Sequence, residues 1–198
     1  MSDTSDRLLD VAQALVQTRG FNAFSFRDLA RALDLTSAGV HYHFPSKADL
    51  GRALVARYRR AFAGELVAVE RASDDAASQL AGFVAVYAGV LRDGRLCLCG
   101  VLASDAATLP DEVRSEVRAF FDETERWLAR VLAAGRETGS LRFDGEPAAE
   151  AALVLSAVEG AMITAWPLYT PGDARGTRRA AERFEVVAGR MLQGLAAS

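Results

Sequence analysis

The chain has 198 residues, is 51% hydrophobic and carries a formal net charge of -3. That composition excludes disorder and supplies enough apolar surface for a sizeable core in one or two domains. The opening MSDTSDRLLD is acidic and polar, unlike a secretory signal, and no apolar run is read as approaching the roughly 18 to 20 residues of a membrane span. A cytoplasmic protein without a membrane partner is expected.

The charge is unevenly spread. Residues 1 to 60 hold nine Arg or Lys and six acids, a local charge of +3, and the remainder carries -6. A basic head on an acidic body suits a protein that meets phosphates at one end only.

Helical periodicity runs through the chain, with no alternating strand pattern and no hairpin signal. Leu8, Leu9, Ala12, Leu15 and Val16 give a first helix its apolar face, and Gly20 stops it. Ser25 opens a second helix, with Asp28 three residues on completing a capping-box pattern, and Leu29, Ala30 and Leu33 form its buried face. Thr36 is placed to N-cap a third helix. Pro45 disfavours helical geometry at Phe44 and so ends it. Ser46 and Asp49 make a second capping box, which starts a long fourth helix to about Val69.

Beyond the polar break Ser73-Asp74-Asp75, residues Leu80, Phe83, Val84, Tyr87 and Leu91 lie at helical spacing until the turn Arg92-Asp93-Gly94. A short apolar segment, residues 96 to 103, follows. Pro110 starts a long helix carrying Val113, Val117, Phe120, Phe121, Leu128, Val131 and Leu132, which closes near Gly135 to Gly139. Pro147 starts another, with Ala151, Val154, Val158, Ala161, Met162 and Ala165 on one face. After the loop at residues 169 to 173, a last helix carries Phe184, Val187, Ala188, Met191, Leu192 and Leu195. The expected fold is all-α, with about nine helices. It divides into a head of residues 1–46, built as a helix-turn-helix, and a helical body of residues 47–198.

Two helices joined by a tight turn can set the second in the major groove of DNA. Ser25 and Thr36 stand at helix starts, where hydroxyls and open N–H groups suit phosphate oxygens, although both read equally as plain capping residues. Tyr42 and His43 can donate to phosphates, Lys47 supplies charge, and Arg27 is a further phosphate contact. Ser37, Ala38, Gly39 and His41 lie on the early part of the third helix, within reach of base edges. Val40 and Phe44 read as core. His41 and His43 stand two apart on a helix, hence about 200° apart, and cannot share a metal. No metal and no cofactor are expected.

The run from residue 8 to 54 resembles the DNA-binding domain of the TetR family of transcriptional regulators. The resemblance rests on Gly20-Phe21, on Phe24 and Ser25 before Arg27-Asp28-Leu29-Ala30, and on the stretch from Thr36 to Leu50. Where the family commonly has Gly and Tyr, this chain has Ala38 and His41, and a glycine follows at Gly39. Those side chains face the groove, so the family's base preferences do not transfer. The resemblance implies a ligand-responsive repressor and not an enzyme. Its partners would be double-stranded operator DNA and a small-molecule effector. It also implies a homodimer through the last two helices, whose small residues Ala151, Ala157, Gly160, Ala161, Ala188 and Gly189 allow close approach.

For the effector, Phe83, Tyr87, Phe120, Phe121, Trp127, Met162 and Trp166, with Tyr169, supply aromatic and soft surface for a cavity between helices, or for an ordinary core. Cys97 and Cys99 add two thiols. The segment Cys97-Leu98-Cys99-Gly100 resembles a branch of the family that includes sensors of reactive electrophiles and small unsaturated acids. A thiol near Arg92 or Arg95 would be activated, and a buried one inert. The alternative reading, a thiol-based redox protein on Cys97 and Cys99, lacks the CxxC spacing and a βαβ pattern.

Overall fold

A computed structural model describes residues 3–169 and 172–196. The fold is all-α. Among the described residues there are nine α-helices and no strand: α1 (Asp3–Arg19), α2 (Phe26–Leu33), α3 (Ser37–His43), α4 (Lys47–Ala72), α5 (Ala76–Arg92), α6 (Leu98–Ser104), α7 (Asp111–Thr138), α8 (Pro147–Ala165) and α9 (Ala174–Leu195). Short 3-10 turns cover Phe21–Ala23 and Trp166–Leu168.

The helix boundaries follow local chemistry. Gly20, at φ 89°, ends α1 in a conformation that L side chains rarely adopt. Ser25 caps α2 in a complete capping box with Asp28. The two hydrogen bonds from Ser25, one from its hydroxyl and one from its backbone N–H, hold the Asp28 carboxyl below the usual carboxylate range. The turn into α3 passes through Asp34, whose φ of 54° is left-handed and tolerated by this residue type. Thr36 Oγ1 accepts the Gly39 N–H at 3.0 Å. Because α3 has only seven residues, this cap carries much of its local stability. Thr36→Ala is expected to cost about 1 kcal/mol in urea denaturation, and Thr36→Ser to keep most of it.

The apolar segment at 96 to 103 forms α6, which makes up the expected number of about nine helices. One expectation needs correction. The stretch Pro147–Leu168 does reach the length and apolarity of a membrane span. Alanine and branched residues fill it, with few charges. Its residues Ala151, Val154, Leu155, Val158, Ala161, Met162 and Ala165 are buried, and α8 packs on α5 and α9, as a core helix does. Of the loop at 169 to 173, Thr170 and Pro171 lie outside the described residues.

The chain forms two compact units. The first comprises Met1–Ala61 and Leu98–Phe120, so the division expected at 46/47 falls inside it. Its core gathers Leu8, Leu9, Val16, Leu29, Val40, Leu50 and Leu54. Residues from the second segment brace the three-helix head. Asp105 Oδ2 accepts the Phe21 N–H at 3.2 Å, and Asn22 Nδ2 donates to Thr108 Oγ1 at 2.8 Å. Arg57 reaches back to α1, pairing with Asp10 at 2.8 Å, and Arg59 pairs with Glu116. Gly51 sits where a Cβ would meet Val113 and Phe21 below 3.0 Å, so glycine is needed for that approach.

The second unit comprises Phe62–Cys97 and Phe121–Ser198. In it α9 packs along both α5 and α8. Phe83, Leu80, Leu91, Val154, Val158 and Phe184 are buried in its core.

Candidate functional site

The outward face of α3 is the first site. Val40 and Phe44 turn inward and are buried. Ser37, Ala38, His41 and Tyr42 are exposed, Gly39 and His43 are partly so, and Arg27 is exposed on the neighbouring α2. Tyr42 is 85% exposed, the most exposed large hydrophobic residue of the chain's described part. Its ring meets His43 edge-on, at 5.2 Å between centroids. His41 is held at two points. Its ring meets that of Phe26 at 4.7 Å, and Nδ1 lies 3.2 Å from the Pro45 carbonyl oxygen. The sequence reading missed Phe26. The presence of an aromatic residue just inside α2, facing a turn, was the available signal.

Lys47 stands differently from the other polar residues. Its Nζ donates to the Phe24 carbonyl at 2.6 Å and lies 4.4 and 4.8 Å from the ring centroids of Phe24 and Phe21. Burial of the ammonium pushes its pKa down, and the Asp28 carboxylate opposes that. Lys47 therefore clamps the first turn of α4 to the segment between α1 and α2.

The residues expected around an effector separate into groups. Phe83, Tyr87 and Trp127 come together in the second unit, with Phe62 as an added member. Phe83 lies 5.1 Å from Tyr87, 5.8 Å from Trp127 and 6.4 Å from Phe62. The Trp127 indole donates to Glu70 at 2.8 Å. Met162 is buried and its sulfur accepts the Cys97 N–H at 3.0 Å. Trp166 stacks on Tyr169 at 4.4 Å, and Phe121 is half-buried. Phe120 and Cys99 instead belong to the first unit, where Phe120 packs on Tyr58.

Of the two settings expected for the thiols, the structure has the buried one. Cys97 and Cys99 are buried, and both stand as thiols. Arg92 pairs with Glu185, and Arg95 with Asp93 at 3.5 Å. The group beside the Cys97 thiol is a carboxyl, that of Glu159. Tyr87 Oη also donates to Glu159 Oε1, at 3.2 Å. Burial pushes the Glu159 carboxyl above the usual range, while the hydrogen bonds from Cys97 and Tyr87 oppose the rise. Sequence reasoning missed Glu159. The signal was an isolated acid in the apolar run of α8, whose only other charged residue is Glu150. Among the described residues no group of three His, Cys, Asp or Glu is placed to hold a metal.

A short exposed helix, capped by Thr36 and set on α2 through a left-handed turn, defines a helix-turn-helix protein. The family model "Bacterial regulatory proteins, tetR family" matches residues 8–54. A TetR-family transcriptional regulator from Agrobacterium tumefaciens is 32% identical, with 98% of both chains covered and a TM-score of 0.89. A TetR transcriptional regulator from Legionella pneumophila is also 32% identical, covering 94% of this chain and 97% of its own, with a TM-score of 0.76. The HTH-type transcriptional repressor DhaR of Mycobacterium sp. (strain GP1) is 26% identical over 73% of each chain. The chain belongs to the TetR family and is a DNA-binding transcriptional regulator.

Proposed function

We propose that the protein is a homodimeric repressor whose α3 enters the major groove and which a small effector, held in the second unit, releases from its operator. The observation that carries this reading is the division of α3 into a buried side, Val40, and an exposed side, Ser37, Ala38, His41 and Tyr42. An α-helix of this width fits the major groove, and its small residues Ala38 and Gly39 permit close approach to base edges. Ser25, Arg27, Thr36, Tyr42 and His43 contact the flanking phosphates in this reading. Lys47 acts chiefly by fixing α4 to Phe21 and Phe24, and through that the position of α3.

The repressor sign is supported by the relative DhaR, which is a repressor. Effector release follows from linkage: a ligand that prefers a form of the dimer with the wrong spacing of heads weakens DNA binding by that preference. The continuous helix α4 is the natural lever. The aromatic group Phe62, Phe83, Tyr87 and Trp127, with Met162 and Cys97, provides the surroundings for an apolar effector.

The head is tested by Tyr42→Ala. Because Tyr42 is so exposed, its truncation should leave the melting temperature unchanged while lowering operator affinity about tenfold, the scale of one good contact. Unchanged affinity in an anisotropy titration would remove Tyr42 and the outward face of α3 from the interface.

A further inference from the structure

The Glu159 carboxyl is an unusual group for a helical core. The residue is half-buried, but its Oε2 is buried and has no hydrogen-bond partner among the protein atoms. Oε1 takes the Tyr87 hydroxyl at 3.2 Å, and the Cys97 thiol bonds to the same carboxyl. Among the described residues, no basic side chain acts on Glu159. Arg92 and Arg95 pair with other acids, Glu185 and Asp93. A buried carboxyl with an unfilled acceptor and no counter-charge is costly to keep unless something else completes it.

The surroundings say what kind of group that is. Two donors, an O–H and an S–H, already face the carboxyl, which is how an anion is received. The acceptor nearby, Met162 Sδ, is used by the Cys97 N–H. What is missing at Oε2 is therefore a further donor, and the donor that also offsets buried negative charge is a cationic N–H. Tyr87 itself belongs to the ring group with Phe62 and Phe83, so an apolar, electron-rich wall adjoins the carboxyl. Such faces favour an ammonium group and its hydrocarbon body.

We propose that Glu159, with Tyr87 and Cys97 positioning it, is the anchor for the ammonium group of an apolar primary amine, and that this is the chemical class of the effector. The ammonium N–H donates to Oε2, the hydrocarbon part lies against the aromatic group, and any proton on Glu159 passes to solvent as the ion pair forms. The assignment rests on the reading of the second unit as the effector-binding unit.

The test is calorimetric titration of the full-length protein with phenethylammonium, 2-phenylethanol and phenylacetate, three probes of similar size and different charge. Phenethylammonium is expected to bind at least about tenfold tighter than the alcohol, the scale of a charge-assisted hydrogen bond, and phenylacetate weakest. Glu159→Gln keeps shape and loses charge. It should erase the preference for the amine and leave binding of 2-phenylethanol unchanged, with a melting temperature at or above that of the parent. Equal binding of amine and alcohol, unchanged amine binding in Glu159→Gln, or no binding of the amine would each overturn the assignment. DNA retardation in the same samples separates the two readings. Glu159-dependent amine binding without release of DNA leaves the site standing and defeats the effector reading. Release of DNA by a ligand that acts equally on Glu159→Gln does the reverse.

Discussion

Replacing Leu153 and Val186 together with aspartate is expected to turn a dimeric protein into a monomer and to lower operator affinity by about a hundredfold or more. Leu153 on α8 is 60% exposed and Val186 on α9 is 72% exposed; Ile163 and Val187, on the same two helices, are also exposed. The two helices pack on one another, so they leave uncovered apolar side chains on adjoining elements. Each such side chain contributes about 1.5 to 3 kcal/mol when fully buried, and an aspartate forced into the same place must be desolvated. A monomer carries one head, and one head loses the gain in effective concentration that links two half-sites. Sedimentation velocity with circular dichroism reads both assembly and folding. A folded double variant that remains a dimer would show that α8 and α9 are not the interface. Of the small residues expected there, Ala151, Ala161 and Ala188 are buried within one chain, so the proposed interface would rest more on the large exposed side chains.

Phe83→Ala should be the most damaging single truncation in the second unit, at about 3 to 5 kcal/mol. Phe83 is fully buried, and its ring meets Phe62, Tyr87 and Trp127, which come from α4, α5 and α7. Removing it opens a cavity that three rigid rings cannot easily close, and it also forfeits the ring-to-ring contacts. At roughly 2 to 4 °C per kcal/mol for a chain of this size, the melting temperature should fall by about 10 °C. Trp166→Ala serves as the control, since Trp166 is only half-buried and stacks on Tyr169. A thermal scan in which the two variants lose equal stability would contradict the placing of Phe83 at the centre of this core.

The helices were legible because their ends are written locally. Gly20, Ser25 with Asp28, Thr36, Pro110 and Pro147 each act within a few residues of their own position, and the structure uses all of them. Long-range partnerships were not legible. Nothing local to Asp105 or Thr108 reveals that they bond to Phe21 and Asn22, and so the incorporation of Leu98–Phe120 into the first unit could not be read. Lys47 was read only as a source of charge, because the aromatic rings that receive it are over twenty residues away in sequence. Cys97 drew attention through its type. Its thiol bonds to a carboxyl 62 residues further on, which no spacing rule connects to it.

The central claim, that the α2–α3 motif binds a specific operator, is tested most directly by anisotropy titration of the full-length protein. The probe is the duplex upstream of its own gene, with a random duplex of equal length as competitor, over about 50 to 200 mM salt. The expected result is a marked preference for the upstream duplex, two protomers per site, and affinity that falls steeply as salt rises. Equal affinity for both duplexes at every salt concentration would contradict it.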